Sequence, residues 1–115
     1  MKDSGKRQEF DGGAVRDTAD DKPRFDLISP FALERLGTWL RLGSLKYEER
    51  NWEKGMPVTR CIASTGRHLL KYMMRRTDED HLAAAFCNLM FLLHYDSMSP
   101  EFKEKWDDRP KYITS

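Results

Sequence analysis

Between Lys46 and Asn88 the chain gathers cations, amides, carboxylates and imidazoles in an order that suits a phosphorylated, metal-bound small molecule. Lys46, Arg50 and Lys54 recur at every fourth position, with Asn51 and Trp52 among them and Gly55 just after. Arg67 and His68 follow, then Glu79, Asp80 and His81, and Asn88 stands seven residues beyond His81. Ammonium groups and forked guanidiniums neutralise phosphate oxygens. Carboxylates hold hard divalent ions, while an imidazole ligates a transition metal or passes a proton.

Each of these residues also has a plainer reading. On a helix, His81, Ala84, Asn88 and Tyr95 share one face, because offsets of three and seven return to the same side. Glu79, Asp80 and His81 could hold a metal there, with Asn88 orienting a substrate. Equally, the carboxylates could cap the helix, with His81 an interior, hydrogen-bonded imidazole. Arg67 shares a stripe with Ala63, Leu70 and Met74, so its guanidinium requires an anion, either Asp80, Glu34 or a substrate phosphate. Trp52 could stack on a base or anchor a loop, and Asn51 could read a base edge or hold the same loop. Arg16, Lys22 and Arg24 add charge near Gly12-Gly13, where backbone amides could approach an anion. Simple solvated charge accounts for that segment as well.

The elements that must position these groups are helical. Ser29-Pro30 offers an N-cap hydroxyl and a proline at the first helical position. Ala32, Leu36, Trp39 and Leu40 then give an apolar face, with Tyr47 near the helix end. Gly43 lies on that face, where a missing side chain would admit another helix. Gly55 and Pro57 break the pattern. A second helix is predicted from about Thr59 to Arg76, with one stripe of Ile62, Leu69 and Met73. Thr77 reads as the N-cap of a third helix running to about Tyr95, with a carboxylate three residues on. That helix is expected to bury Leu82, Ala85, Phe86, Leu89, Leu92 and Leu93. A short helix carrying Phe102 and Trp106 follows Ser99-Pro100. No segment shows sustained alternation, and residues 1 to about 26 read as a loop or an arm. The fold class is mainly α: an N-terminal arm over residues 1–26, a three-helix nucleotide-binding core over 27–98, and a short helix or tail over 99–115. Wide apolar faces on so short a chain predict completion of the core by a second copy, as a homodimer or higher homo-oligomer.

Composition narrows the function. At 115 residues the chain is one domain with a modest core. Its 20 basic and 19 acidic residues nearly cancel, which argues against coating a polynucleotide and leaves a mononucleotide open. The apolar run around Leu89 to Leu93 is too short to cross a bilayer, and the charged N-terminus has no secretory core, so no membrane partner is expected. Cys61 and Cys87 fall in apolar helical patterns without metal spacing, which predicts reduced, buried thiols and a cytoplasmic protein. Phosphate-loop, dinucleotide, zinc-protease and serine-nucleophile motifs are absent.

Several segments carry a family resemblance: Gly13-Ala14-Val15-Arg16-Asp17, Lys22-Pro23-Arg24-Phe25-Asp26-Leu27-Ile28, Lys46-Tyr47, Arg50-Asn51-Trp52-Glu53-Lys54-Gly55, Arg67-His68-Leu69 and Asp78-Glu79-Asp80-His81-Leu82-Ala83-Ala84-Ala85. Together they resemble the dATP/dGTP diphosphohydrolase N-terminal-domain family, common in phages, over about Gly12 to Tyr95. The resemblance implies hydrolysis of a purine deoxynucleoside triphosphate to monophosphate and pyrophosphate, in the host cytoplasm if the gene is phage-borne. It also implies an all-α, MazG-like helical dimer using Mg²⁺, Mn²⁺ or Co²⁺. The paired-glutamate helix of MazG-like enzymes is not reproduced: Glu34 stands alone, Glu48-Glu49 falls in a turn, and Asp80-His81 precedes alanines. On this reading Glu34, Glu79, Asp80 and His81 hold metal, and Asp80, His81 and His68 carry the chemistry. Arg67, Lys46, Arg50, Lys54, Arg16 and Arg24 contact phosphates, while Asn51, Trp52 and Asn88 orient base and sugar. The incomplete carboxylate set keeps open a non-catalytic binder that sequesters a nucleotide, and the apolar faces an interaction module.

Overall fold

The computed structural model describes residues 5–18 and 21–112. Two short strands, β1 (Arg7–Glu9) and β2 (Val15–Asp17), precede four helices: α1 (Pro30–Ser44), α2 (Val58–Met73), α3 (His81–Asp96) and α4 (Pro100–Trp106). Single 3-10 turns lie at Phe25–Leu27 and Asn51–Lys54. The chain is mainly α, as its pattern predicted.

The arm corrects one expectation. Its strands form an antiparallel hairpin with Gln8 opposite Arg16, closed by Gly13 N–H donating to the Phe10 carbonyl at 2.8 Å. Gly13 has φ +89°, a conformation that favours glycine. Three residues per strand are too few for alternation to register in the sequence.

Helix α1 starts as expected, with Ser29 Oγ accepting from Ala32 N–H at 3.2 Å, and ends at Ser44, short of Tyr47. Nothing among the described residues lies within 4 Å of a Cβ built at Gly43, so none of the described helices uses the gap. Helix α2 ends in a Schellman pattern in which Arg76 N–H donates to the Lys71 carbonyl at 3.0 Å. Arg75, at φ +62°, holds the left-handed position where glycine is usual. The cap of α3 is Asp80, whose carboxylate accepts from Ala83 N–H at 3.1 Å. The predicted Thr77 cap is therefore three residues early, because Arg75 and the bends after it keep 77–79 outside the helix.

Helices α2 and α3 run antiparallel: Asn88 Nδ2 donates to Ser64 Oγ at 3.2 Å, and farther along α2, His68 meets His81 near the start of α3. The seam between them is made of small side chains, with Cys61, Ala84 and Cys87 essentially inaccessible. Both cysteines are free thiols, and burial pushes Cys87 up to about 11. The seam corrects a second expectation. Ala83, Ala84 and Ala85 turn inward, leaving Phe86, Leu89 and Leu93 substantially exposed on the outer side.

The end of the chain holds the start of α2. Pro57 offers no side-chain cap. Asp108 supplies one from 49 residues away, accepting from Thr59 N–H at 2.9 Å and from Thr59 Oγ1 at 2.5 Å. Next to it, the Trp106 indole lies over Gly55. A Cβ at Gly55 would stand 2.1 Å from Trp106 Nε1. No helix among the described residues is long and apolar enough to cross a membrane.

Candidate functional site

Antiparallel packing of α2 on α3 brings His68 and His81 together from 13 positions apart. Their Nδ1 atoms are 2.9 Å from one another. His81 is buried, and its Nε2 lies 2.8 Å from Asp78 Oδ1. A carboxylate can only accept, so His81 carries its proton on Nε2 and, when neutral, presents a bare Nδ1. His68 then donates through Nδ1–H. Burial first, and the neighbouring His81 second, push the His68 pKa down, toward the neutral imidazole. Glu79 completes the group: His68, Glu79 and His81 each place one ligand atom within 4.8 Å of the others.

This donor set fits a divalent transition ion. Two nitrogens held about 2.1 Å from one ion lie about 3.0 Å apart at a right angle, and about 3.4 Å apart at the tetrahedral angle. The observed 2.9 Å suits two adjacent positions of an octahedral ion. Two imidazoles and one carboxylate form the facial donor set that leaves open positions for water or substrate. Asp78 sits where an outer carboxylate fixes the tautomer of a ligating histidine. To hold an ion, His68 would have to move its proton from Nδ1 to Nε2 and both rings would have to turn, because nitrogens 2.9 Å apart on rings whose centroids are 5.2 Å apart point at one another.

Charge of both signs lies near the pair, and Glu79 acts on His68 more strongly, in the opposite sense, than the nearby cations do. Arg67 and Lys71 are close enough to lower the His68 pKa. Arg35 reaches from α1 to Asp80 in a two-pronged ion pair of 2.9 and 2.6 Å, which holds the Asp80 carboxyl below its ordinary range. Trp39, also on α1, meets the His68 ring edge-on at 5.9 Å. Three helices therefore converge here.

Among the predicted residues, His68, His81 and Glu79 come together, with Arg67 beside them. Asp80 adjoins the cluster, but its carboxylate is engaged by Arg35 and the α3 cap rather than by Arg67. Glu34 is exposed on α1 and does not belong to the ligand group. Asn88 lies two turns along α3, bonding the Ala84 carbonyl at 2.9 Å as well as Ser64.

The cationic loop goes elsewhere. Trp52 stacks on Phe91 with centroids 4.7 Å apart, and Tyr95 Oη donates to the Trp52 carbonyl at 2.5 Å. At 1.5 Å rise per residue, those contacts sit about 15–21 Å along α3 from His81. Lys46 is exposed past the end of α1, and Asn51 opens the 3-10 turn. Arg50 pairs with Glu53, and Lys54 pairs with Glu48 at 2.8 Å. In the arm, Arg24 is bound to Asp26 at 2.9 and 2.7 Å, and Arg16 is exposed on β2.

Sequence reasoning missed Arg35, Asp78, Trp39 and Lys71. Asp78 had a faint signal, three residues before His81 in an acidic run. Arg35 had none, since its partner lies 45 residues away.

No curated protein and no solved structure matched the chain. One family pattern did, that of the dATP/dGTP diphosphohydrolase N-terminal region, and it covers residues 12–105. That span takes in the hairpin turn, all three long helices and nearly all of α4, with every member of the histidine cluster inside it. The chain belongs to the dATP/dGTP diphosphohydrolase N-terminal family, a family named for nucleotide hydrolysis.

Proposed function

We propose that this protein is a metal-dependent purine deoxynucleoside triphosphate pyrophosphohydrolase, cleaving the bond between the α and β phosphorus atoms with water to give a deoxynucleoside monophosphate and pyrophosphate. The observation that carries this reading is the His68–His81 pair, oriented by Asp78 and edged by Glu79. His68, His81 and Glu79 would hold the ion, and nitrogen donors favour Mn²⁺ or Co²⁺ over Mg²⁺. A bound ion of this kind polarises a phosphoryl oxygen and lowers the pKa of its water. Arg67 and Lys71 draw the triphosphate toward the cluster, and Asn88 orients the sugar or base from the next turns of α3. The protein works in the cytoplasm as a homo-oligomer, in the host cell if phage-encoded.

One observation favours a second reading. With Asp80 committed to Arg35 and Asp78 to His81, Glu79 is the one carboxylate of the cluster outside both pairs, and hydrolysis by water needs a base. A nucleotide sequestered without turnover fits that shortage.

Incubation of the purified chain with each deoxynucleoside triphosphate and Mn²⁺, Co²⁺ or Mg²⁺, followed by anion-exchange separation, decides between them. Pyrophosphate release lost in His81→Ala supports the enzyme. Nucleotide retained on the protein and recovered intact supports the binder. Neither binding nor turnover ends the nucleotide reading.

A further inference from the structure

A hollow of about 340 Å³ lies among Ala32, Leu69, Leu82, Phe86 and Leu89, and Arg35 is the one charged residue that lines it. Small-molecule sites span about 300–1,000 Å³ and combine apolar walls with a few placed polar groups. Leu69 and Leu82 each follow a histidine of the cluster in sequence, and Arg35 holds Asp80, the residue before His81. The hollow therefore adjoins the cluster. Another hollow, of about 370 Å³, runs toward Leu93, Phe102 and Trp106. Leu93 is about 18 Å along α3 from His81, so the first hollow is the one placed to share a ligand with the histidines.

The charge of Arg35 is already met. Its Nε and Nη2 donate to the two Asp80 oxygens at 2.9 and 2.6 Å, which leaves both Nη1 hydrogens outside the pair. A guanidinium neutralised in this way gains little from a phosphate, yet it can still donate to a neutral acceptor. The carboxylate also fixes the plane of the fork, so a further bond costs less side-chain freedom. Apolar walls with one such donor suit an uncharged, flat, aromatic group that carries an acceptor on its edge. A purine base has this chemistry. N7 is an acceptor in adenine and guanine alike, and a pyrimidine ring has no counterpart to it.

We propose that this hollow is the base subsite of the nucleotide site, with the base against Leu69, Leu82 and Phe86 and with Arg35 Nη1 donating to purine N7. The inference rests on the nucleotide reading and adds to it the residue that tells purines from pyrimidines. Asp80 then acts at one remove, as the group that holds Arg35 in position.

Titration calorimetry of the full chain with Mn²⁺ present tests it, using dAMP, 7-deaza-dAMP and inorganic tripolyphosphate, with circular dichroism as the folding control. The 7-deaza base replaces N7 by a carbon and keeps the shape of the ring. The expected result is binding of 7-deaza-dAMP about 10-fold weaker than that of dAMP, as for loss of one hydrogen bond from a charged donor. In Arg35→Met the two should bind within about twofold of one another. Leu69 is 44% exposed, so Leu69→Trp should fold; it fills the hollow and should weaken dAMP by about 10-fold or more, with tripolyphosphate within about twofold of the parent. If Arg35→Met does not fold, the two nucleotides on the parent and the Leu69→Trp variant decide. Equal binding of dAMP and 7-deaza-dAMP by the parent overturns the proposal, as does a difference that persists in Arg35→Met, and either result leaves the nucleotide reading standing. A parent that binds neither nucleotide nor tripolyphosphate overturns both.

Discussion

The two ends of α3 make an instructive contrast. At its start, His68, His81, Asp78, Glu79 and the Arg35–Asp80 pair converge from three helices, and a buried imidazole presents a bare nitrogen to its neighbours. At its far end, the loop carrying Lys46, Arg50, Asn51, Trp52 and Lys54 has the richer sequence signature. There, however, the cations Arg50 and Lys54 are matched by carboxylates of the same loop, and the indole is spent on packing. Charge that finds its partner locally leaves little for a ligand. Reactive groups assembled from distant positions, with two imidazoles bonded to one another, are the stronger pointer to a site.

Replacing His81 by alanine should do the most damage at the first end. The expected result is a loss of Mn²⁺ or Co²⁺ affinity of at least about 100-fold by titration calorimetry, beyond the 10–100-fold typical of removing an outer partner. Unchanged metal binding would remove the basis of the contrast.

Trp52→Ala should instead act on folding, costing about 3 kcal/mol in urea unfolding, as for other large aromatic truncations. Nucleotide affinity per folded molecule should hold. A stable Trp52→Ala protein that no longer binds nucleotide would reverse the assignment of the two ends.

Tyr95 sharpens the structural character of the far end. Burial pushes its phenol up to about 12, against about 10 in an unfolded chain. The folded state therefore holds the proton more tightly, and this stabilisation is complete below pH about 10. It should be lost as pH rises toward about 12, a loss of roughly 2–3 kcal/mol, visible as alkaline unfolding that Tyr95→Phe flattens.

Asp80→Ala removes a helix cap and an ion-pair partner together. Half of that pair is exposed to solvent, so its share is discounted, and a total of about 1–2 kcal/mol is expected from thermal unfolding. Lys54→Ala should change least, with nucleotide turnover within about twofold of the parent, since surface pairs such as Lys54–Glu48 contribute little. A larger fall in turnover would bring the loop back into the site.

The helices were legible because their signals are local: Ser29-Pro30 and Ser99-Pro100 mark two starts, and Gly55-Met56-Pro57 marks a break. The position of the α3 start was not, since the Thr77 signal competes with Asp80 and only the backbone at Arg75 decides between them. Which side of α3 faces inward was only partly legible: Ala85 is buried as expected, while Phe86, Leu89 and Leu93 are exposed. Leucines and a phenylalanine usually mark the buried side, but here three alanines and a cysteine allow α2 to come close. The histidine pair was half legible: both residues were singled out, while their meeting depends on a helix–helix register that periodicity does not encode. Asp108 as the cap of α2, and Arg35 as the partner of Asp80, required the folded chain.

The hydrogen at Gly55 has a consequence that would be read across relatives. Its backbone, at φ +106°, favours glycine already, and the Trp106 indole occupies the place of any larger side chain. Positions 55 and 106 should therefore drift as a couple: a bulkier residue at the first should occur only where the tryptophan has shrunk. Where that exchange has happened, Thr59 and Asp108 should vary more freely too, because the tail that brings them together would have lost its seat.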